Sequence, residues 1–273
     1  MVARDPHRFV NDLDDATLES LIARLEGRAQ DAVFTRLFDK YLAKLALPSL
    51  TRILEVGCGT GAMLRLLARR EDFMGKAFGV DQCRSFITVA SKLAHMDNVG
   101  DRLSFQVGDA HGLDFPDASF DLVIAHTLIS HVTEPALVLS EMARVVRPNG
   151  TVVIFDGDYA SLTYAFADHS FGHQMDTALA SATFNNPRIM RDLPRLLPKV
   201  GLRLAGAWGD AVVEIGNGSY FKSFAETYVP YVKRAGLLPA QRVEVWLNEQ
   251  HQAMRNGTFF AACNYYTYFA SPA

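Results

Sequence analysis

Apolar residues recur at helical spacing from Leu18 onward: Leu18, Leu21, Ile22 and Leu25, then Ala29, Val33, Leu37, Tyr41 and Leu45. That period predicts one or two amphipathic helices before the first strand, covering a sheet face or a subunit surface, or closing over a ligand. Beyond residue 50 the pattern changes to short apolar runs with helical stretches between them. The runs at 51–56, 76–81, 103–107, 120–125 and 150–156 predict strands, and 62–70, 83–94 and 136–146 predict the intervening helices. This alternation implies crossover connections and a mostly parallel sheet with helices on both faces. Ligands of such sheets lie at the carboxyl ends of the strands, near the point where strand order reverses.

After Asp156 the alternation breaks. Residues 159–185 are rich in aromatic residues and histidine, and NPRIMRDLPRLLPKVG predicts a helix with Pro187 near its start and Gly201 at its end. Residues 202–215 predict a strand. NGSYFKSFAETYVPYVKRAG and 239–254 predict two helices, with Pro230 ending or kinking the first, before a last aromatic strand over 258–269. The expected fold is therefore α/β and Rossmann-like: a seven-stranded, mostly parallel sheet with N-terminal helices and a late helical lid. No long polar linker divides the chain, so 1–273 reads as a single domain. Its expected parts are a helical extension over 1–48, a ligand-binding core over 50–156, a substrate-side region with lid helices over 157–256 and a final strand over 258–269.

The 273 residues carry 27 basic and 30 acidic side chains, a balance that offers no field for steering nucleic acid or an anionic membrane. The opening MVARDPHRFVNDLDD places acids where a secretory peptide needs an apolar core, and no stretch approaches about 18 uninterrupted apolar residues. A cytoplasmic chain with neither a membrane nor a nucleic-acid partner is expected; a homodimer is the assembly left open. Cys58, Cys83 and Cys263 have no paired metal-ligand spacing and read as small residues in partly buried positions. His169 and His173 are four apart, which on a helix would put them on one face, but no third ligand is marked nearby, so a solvated or packed pair is expected and no metal.

ILEVGCGTG, residues 53–61, delivers a strand into a glycine turn of the kind that lets a ligand approach backbone closely. Gly57, Gly59 and Gly61 are spaced G-x-G-x-G, whereas the dinucleotide fingerprint needs its third glycine one residue later. Asp81 ends the second strand in AFGVD, where an ionised carboxylate can accept from both hydroxyls of a ribose. Asp109 follows the third strand in FQVGDAHGL and can accept from an adenine amino group. Either acid can instead cap the helix that follows.

This constellation resembles the class I S-adenosylmethionine-dependent methyltransferases, and more narrowly the small-molecule branch similar to the ubiquinone and menaquinone biosynthesis methyltransferases. The matching stretches are ILEVGCGTG, FGVD, QVGDAHGLDFPDASFDLVIAHTLISHVTEP and LSEMARVVRPNGTVVIFD, together covering about residues 50–156. The resemblance implies S-adenosylmethionine as cofactor, with S-adenosylhomocysteine as product, bound by the core over 50–156. Glu55 would orient the glycine loop and approach the methionyl ammonium, while Gly57, Gly59 and Gly61, with Cys58 between them, make room for the cofactor. Asp81 would take the ribose, Gln82 the adenosine edge, Asp109 and Ala110 the adenine, and His126 and Thr127 would line the methionine end. In RPNGTVV, Asn149 stands where the family commonly has a second glycine; because Asn tolerates a left-handed conformation, the turn before the fifth strand is expected to survive.

Methyl transfer from a sulfonium needs the acceptor atom, methyl carbon and sulfur held in line, and a hydroxyl or ammonium acceptor must also lose a proton. The bases available near the strand ends are His126, His131, Asp156, Asp158, His169 and His173, with the two histidines after the fourth strand foremost. Asp156 and Asp158 are expected to meet the substrate. Tyr159, Trp208, Tyr220 and Phe224, among the late aromatics, are expected to enclose a small, partly apolar or aromatic metabolite. Two rivals remain: a protein that binds the cofactor without catalysis, and, against the glycine spacing, a nicotinamide oxidoreductase.

Overall fold

Asp14 starts the first helix by accepting the Thr17 N–H, and Asp31 both closes it and caps the next by accepting from Val33 N. The computed structural model describes residues 10–47 and 50–273. Residues 1–9 and 48 of the expected N-terminal extension lie outside the described residues. Helices α1 (Asp15–Gln30) and α2 (Ala32–Leu42) then lead into β1 (Arg52–Val56), α3 (Ala62–Ala68), β2 (Lys76–Asp81), α4 (Arg84–Met96), β3 (Leu103–Val107), β4 (Phe120–His126) and α5 (Pro135–Val145). The remaining elements are β5 (Val146–Tyr164), α6 (His169–Thr183), α7 (Ile189–Leu196), β6 (Leu202–Gly216), α8 (Tyr220–Ala235), α9 (Ala240–Asn256) and β7 (Phe259–Pro272).

The strands form one seven-stranded sheet in the order β3-β2-β1-β4-β5-β7-β6, parallel from β3 to β5, with β7 antiparallel to both its neighbours. Strand order reverses between β1 and β4, which directs a ligand to their carboxyl ends. The pleat then sorts side chains by parity. Ile53, Ile124, Val153 and Phe155 enter the core shared with α2, α6 and α8; Leu54, Val123, Val152 and Ile154 enter the core shared with α5 and α7. Glu55 and His126 therefore share the α2 face, whereas Asp156 and Asp158 share the other.

Four elements differ from the sequence expectation. β5 extends to Tyr164 because its later residues pair with β7, as Gly157 with Tyr265 and Thr163 with Ala262. The RPNG stretch is an insertion in the β4–β5 register, between the pairs Phe120–Val146 and Leu122–Thr151, and Asn149 is not left-handed. The expected turn is thus replaced by an irregularity within the strand. Pro230 lies inside α8 without ending it, since packing of Phe221, Phe224, Tyr228 and Val232 outweighs the one lost backbone bond. Residues 169–183 form a helix that their mixed composition did not reveal, and His169 and His173 are exposed on it. The helix ending at Gly201 does close there, on a left-handed glycine with φ of 76°. No helix among the described residues is long and apolar enough to cross a membrane.

Candidate functional site

The glycine loop takes its shape from Asp81. Gly59 adopts φ of 53° and donates its N–H to Asp81 Oδ2 at 2.8 Å, while Cys83 N donates to Oδ1 at 2.9 Å. Burial raises the Asp81 pKa, and these two backbone donors oppose the rise. Gly57, also left-handed, lies so close to Leu128 that a Cβ there would fall 2.5 Å from its Cδ1. The loop is roofed by α1: Glu26 accepts from Thr60 Oγ1 at 2.6 Å and pairs with Arg65 at 2.5 Å. Val10, Leu21, Cys83 and Phe86 form a small cluster beside it.

Between this loop, the end of β4 and the late helices lies a cleft of about 340 Å³. On its strand side it is lined by Glu55, Gly57, Cys58, Gly59, Asp81 and Gln82, with Asp109 and Ala110 after β3 and His126, Thr127 and His131 after β4. On the other side stand Tyr159, Phe184, Tyr220, Phe224 and Tyr228, with Arg24 and Arg28 from α1.

Four residues expected at the site do not line it. Gly61 begins α3, and a Cβ there would strike Phe105 at 2.5 Å, so its smallness serves packing against β3. Asp156, fully buried, accepts from Ser130 N at 2.9 Å and from Gly157 N at 2.8 Å. Asp158, on the same face, pairs with Arg191 of α7 at 2.8 Å. Parity in β5 turns both acids away from the cleft and brings Tyr159 into it. Trp208 packs on Phe269 with Lys40 of α2 over its ring, on the α2 face but on edge strand β6, outside the cleft.

Glu55 is 3% exposed, and its Oε2 has no hydrogen-bond partner among the described residues. Burial, with Asp81 adding to it, pushes its pKa up to about 8 against the opposing charge of Arg28. His126 is enclosed by Phe38, Tyr41 and Phe155, and its Nδ1 lies 3.0 Å from the Tyr41 hydroxyl. Burial, then the charge of Arg28, holds its pKa well below the ordinary histidine value, so the ring is neutral at physiological pH. Thr127 takes φ of 56°, a strained conformation for a β-branched residue, supported by its N–H to Phe155 O and its hydroxyl to His126 O.

Asp109 is mostly exposed; burial opposes it, but the amide and ring of His111 hold its carboxyl below the usual range. Burial also pushes the Cys58 thiol up, so it stays protonated. His131 packs against Phe184 with centroids 4.9 Å apart and planes tilted by 42°, and its charge opposes the burial that raises the Asp156 pKa. Arg24, Arg28, His111 and Phe184 were not foreseen. The arginines had a signal, since they stand four apart beside the apolar stripe of α1, and Tyr228 extends the spacing of Tyr220 and Phe224.

The methyltransferase-domain family matches residues 54–154. Phosphatidylethanolamine N-methyltransferase of Cereibacter sphaeroides is 36% identical over 146 residues, which cover 50% of this chain and 70% of that enzyme. The chain belongs to the class I S-adenosylmethionine-dependent methyltransferases. The chain also resembles an uncharacterized transposon protein of Streptomyces fradiae, 28% identical over 223 residues. That match takes in 80% of this chain but only 61% of the Streptomyces protein's own length. The geranyl diphosphate C-methyltransferase of Streptomyces coelicolor A3(2), solved with S-adenosylhomocysteine, shares the fold at a TM-score of 0.54 and 15% identity. The superposition covers 88% of this chain and 79% of that one.

Proposed function

We propose that the chain transfers a methyl group from S-adenosylmethionine to an oxygen, nitrogen or activated carbon of a small, partly apolar or aromatic metabolite. The observation that carries this reading is Glu55: a buried carboxyl at the foot of the glycine loop with one oxygen unsatisfied. A cationic donor in the cleft would satisfy it, and the methionyl ammonium is such a donor. Asp81 then takes the ribose hydroxyls, Gln82 the adenosine edge, and Asp109 with Ala110 the adenine. Gly57, Cys58 and Gly59 leave room for the cofactor backbone, and His126 and Thr127 wall its methionine end.

The sulfonium, when bound, supplies an activated methyl group and calls for no covalent enzyme intermediate. The chain's own task is to align the acceptor, exclude water and remove a proton. We assign the last to His131: its ring lies tilted against Phe184 on the acceptor side and acts electrostatically on Asp156, whose carboxyl two backbone donors fix. A carboxylate behind a histidine orients the ring and stabilises the imidazolium that forms. His126 lies deeper, bound to Tyr41, and serves as a wall. The narrower resemblance to quinone-biosynthesis methyltransferases favours a hydroxylated ring as acceptor, and α6, α8 and α9 supply the lid. A labelled-methyl screen against hydroxylated, amine-containing and activated-carbon metabolites tests the activity. Binding of S-adenosylhomocysteine with no transfer to any of the three classes would favour the non-catalytic reading.

Glu55 gives this binding a pH signature. With its pKa near 8 in the free protein, the carboxyl is mostly protonated at neutral pH, whereas the ammonium favours its ionised form. Cofactor binding below about 8 therefore releases a proton, and affinity rises with pH and levels off above that value. Without cofactor the same shift acts oppositely on stability: the contribution is full below the ordinary carboxyl pKa and is lost as pH climbs through about 8. Calorimetry with S-adenosylhomocysteine at neutral pH, in two buffers of different ionisation enthalpy, should show the released proton, and Glu55→Gln should abolish it. Equal heats in both buffers for the unaltered protein would remove Glu55 from this role.

A further inference from the structure

The acceptor side of the cleft carries two guanidinium groups that form no ion pair among the described residues. Several arginines elsewhere are paired: Arg65 with Glu26 and Asp97, Arg70 with Asp39 and Asp72, Arg144 with Glu141 and Asp117, Arg191 with Asp158. Others, such as Arg52 over Phe78 and Phe120 and Arg102 on Phe73 O, have no carboxylate partner among the described residues but stand outside the cleft. Among the described residues neither Arg24 nor Arg28 has such a partner, although both are half-buried and line the cleft. In a chain of net charge −3, this is not the residue of a general basic surplus.

Arg28 acts electrostatically on Glu55 and His126, which places it toward the methionine end. Arg24 stands farther along α1, over the rings of Tyr220, Phe224 and Tyr228 at 5.2, 5.2 and 5.0 Å from their centroids. It donates to Ser223 Oγ at 3.1 Å. The rings satisfy the face of the guanidinium and the Ser223 and Tyr228 hydroxyls take part of its five-donor fork, but none of these supplies a counter-charge. A partly desolvated cation without one is costly to keep, and a ligand anion would remove that cost.

The surrounding walls are flat. Tyr159 and Phe184 stack with centroids 3.4 Å apart and planes 10° apart, and Phe224 lies within 25° of both. Nearly parallel rings favour a planar ligand laid against them in offset fashion.

We infer that the methyl acceptor is a planar aromatic acid whose carboxylate is bound by Arg24 while its ring lies against Tyr159, Phe184 and Phe224. The inference rests on the methyltransferase reading and adds the charge and shape of the acceptor. A carboxylate suits the site because it accepts two parallel N–H bonds from one arginine fork, a geometry a neutral amide cannot match.

The test uses the full chain saturated with S-adenosylhomocysteine and two probe pairs: salicylate against salicylamide, and 1-hydroxy-2-naphthoate against its carboxamide. The acids should bind about 10–100-fold more tightly than their amides, the range of a charge-assisted hydrogen bond converted to affinity. Added salt should narrow that gap, a readout that needs no variant. Arg24→Gln should erase the preference while leaving S-adenosylhomocysteine affinity unchanged, and Arg24→Lys should keep part of it. Equal binding of acids and amides, a preference that survives Arg24→Gln, or binding of neither probe type by protein that holds S-adenosylhomocysteine would overturn the inference. Failure to bind S-adenosylhomocysteine would instead overturn the reading beneath it.

Discussion

His131→Ala is expected to lower turnover by roughly 10²–10⁴-fold while leaving S-adenosylhomocysteine affinity nearly intact, the loss that follows removal of a positioned general base. The expectation comes from what surrounds the ring. Phe184 packs against it on the acceptor side of the cleft, and Asp156, held by Ser130 N and Gly157 N, acts on it electrostatically. Asp156 is a positioning residue, so Asp156→Asn should reduce turnover less and should also alter the pH profile of turnover, which a purely structural role would not. His126→Ala should behave differently. It leaves the Tyr41 hydroxyl without its partner and opens a gap against Phe38 and Phe155, so its main effect should be a lowered Tm. Rates measured on a confirmed acceptor, with calorimetry for the cofactor, separate the two histidines. Substantial turnover in His131→Ala would point to a transfer governed by alignment alone.

The cofactor half of the cleft was legible because its signals are local. A strand, a glycine turn and an acid at the end of the next strand are fixed by spacing along the chain, and parallel pairing of β1 with β2 brings Glu55, Gly59 and Asp81 together. The acceptor half depends on contacts distant in sequence. Arg24 meets Ser223 across 199 positions, and no periodicity in α1 reveals which helix will lie opposite. Asp156 and Asp158 were misplaced for a simpler reason: they end an apolar run, but a one-residue alternation decides the face, and Tyr159 has the parity that points inward. Trp208 was placed by composition alone, which does not reveal that its strand lies at the sheet edge, beyond β5 and β7. Residues 169–183 were missed as a helix because Ser, Gly, Thr and two His dilute their period, and burial of Phe171, Met175 and Leu179 against the core supplies what local preference does not.

Asp81→Ala is expected to weaken S-adenosylhomocysteine binding by roughly tenfold to hundredfold, corresponding to about 1.5–3 kcal/mol for a hydrogen bond to a charged group. The carboxylate has two tasks. Its oxygens each accept one backbone N–H, from Gly59 and from Cys83, and so hold the loop in the conformation that leaves space above it. An ionised carboxylate has about four acceptor sites, so two remain for the ribose hydroxyls after those bonds are made. Alanine removes both the ribose acceptors and the loop restraint, and some loss of Tm should accompany the loss of affinity. Asp81→Asn distinguishes the tasks: one oxygen still accepts, but the amide nitrogen presents a donor to a backbone donor and cannot accept from a hydroxyl. Its affinity should fall less than that of the alanine variant, because one acceptor oxygen remains. NAD, tested in parallel, should bind neither the parent nor the variants measurably, since Gly61 falls one residue short of the third glycine of the dinucleotide fingerprint. Unchanged S-adenosylhomocysteine affinity in a folded Asp81→Ala protein would reject the ribose assignment, and NAD binding without the sulfur nucleoside would reject the cofactor itself.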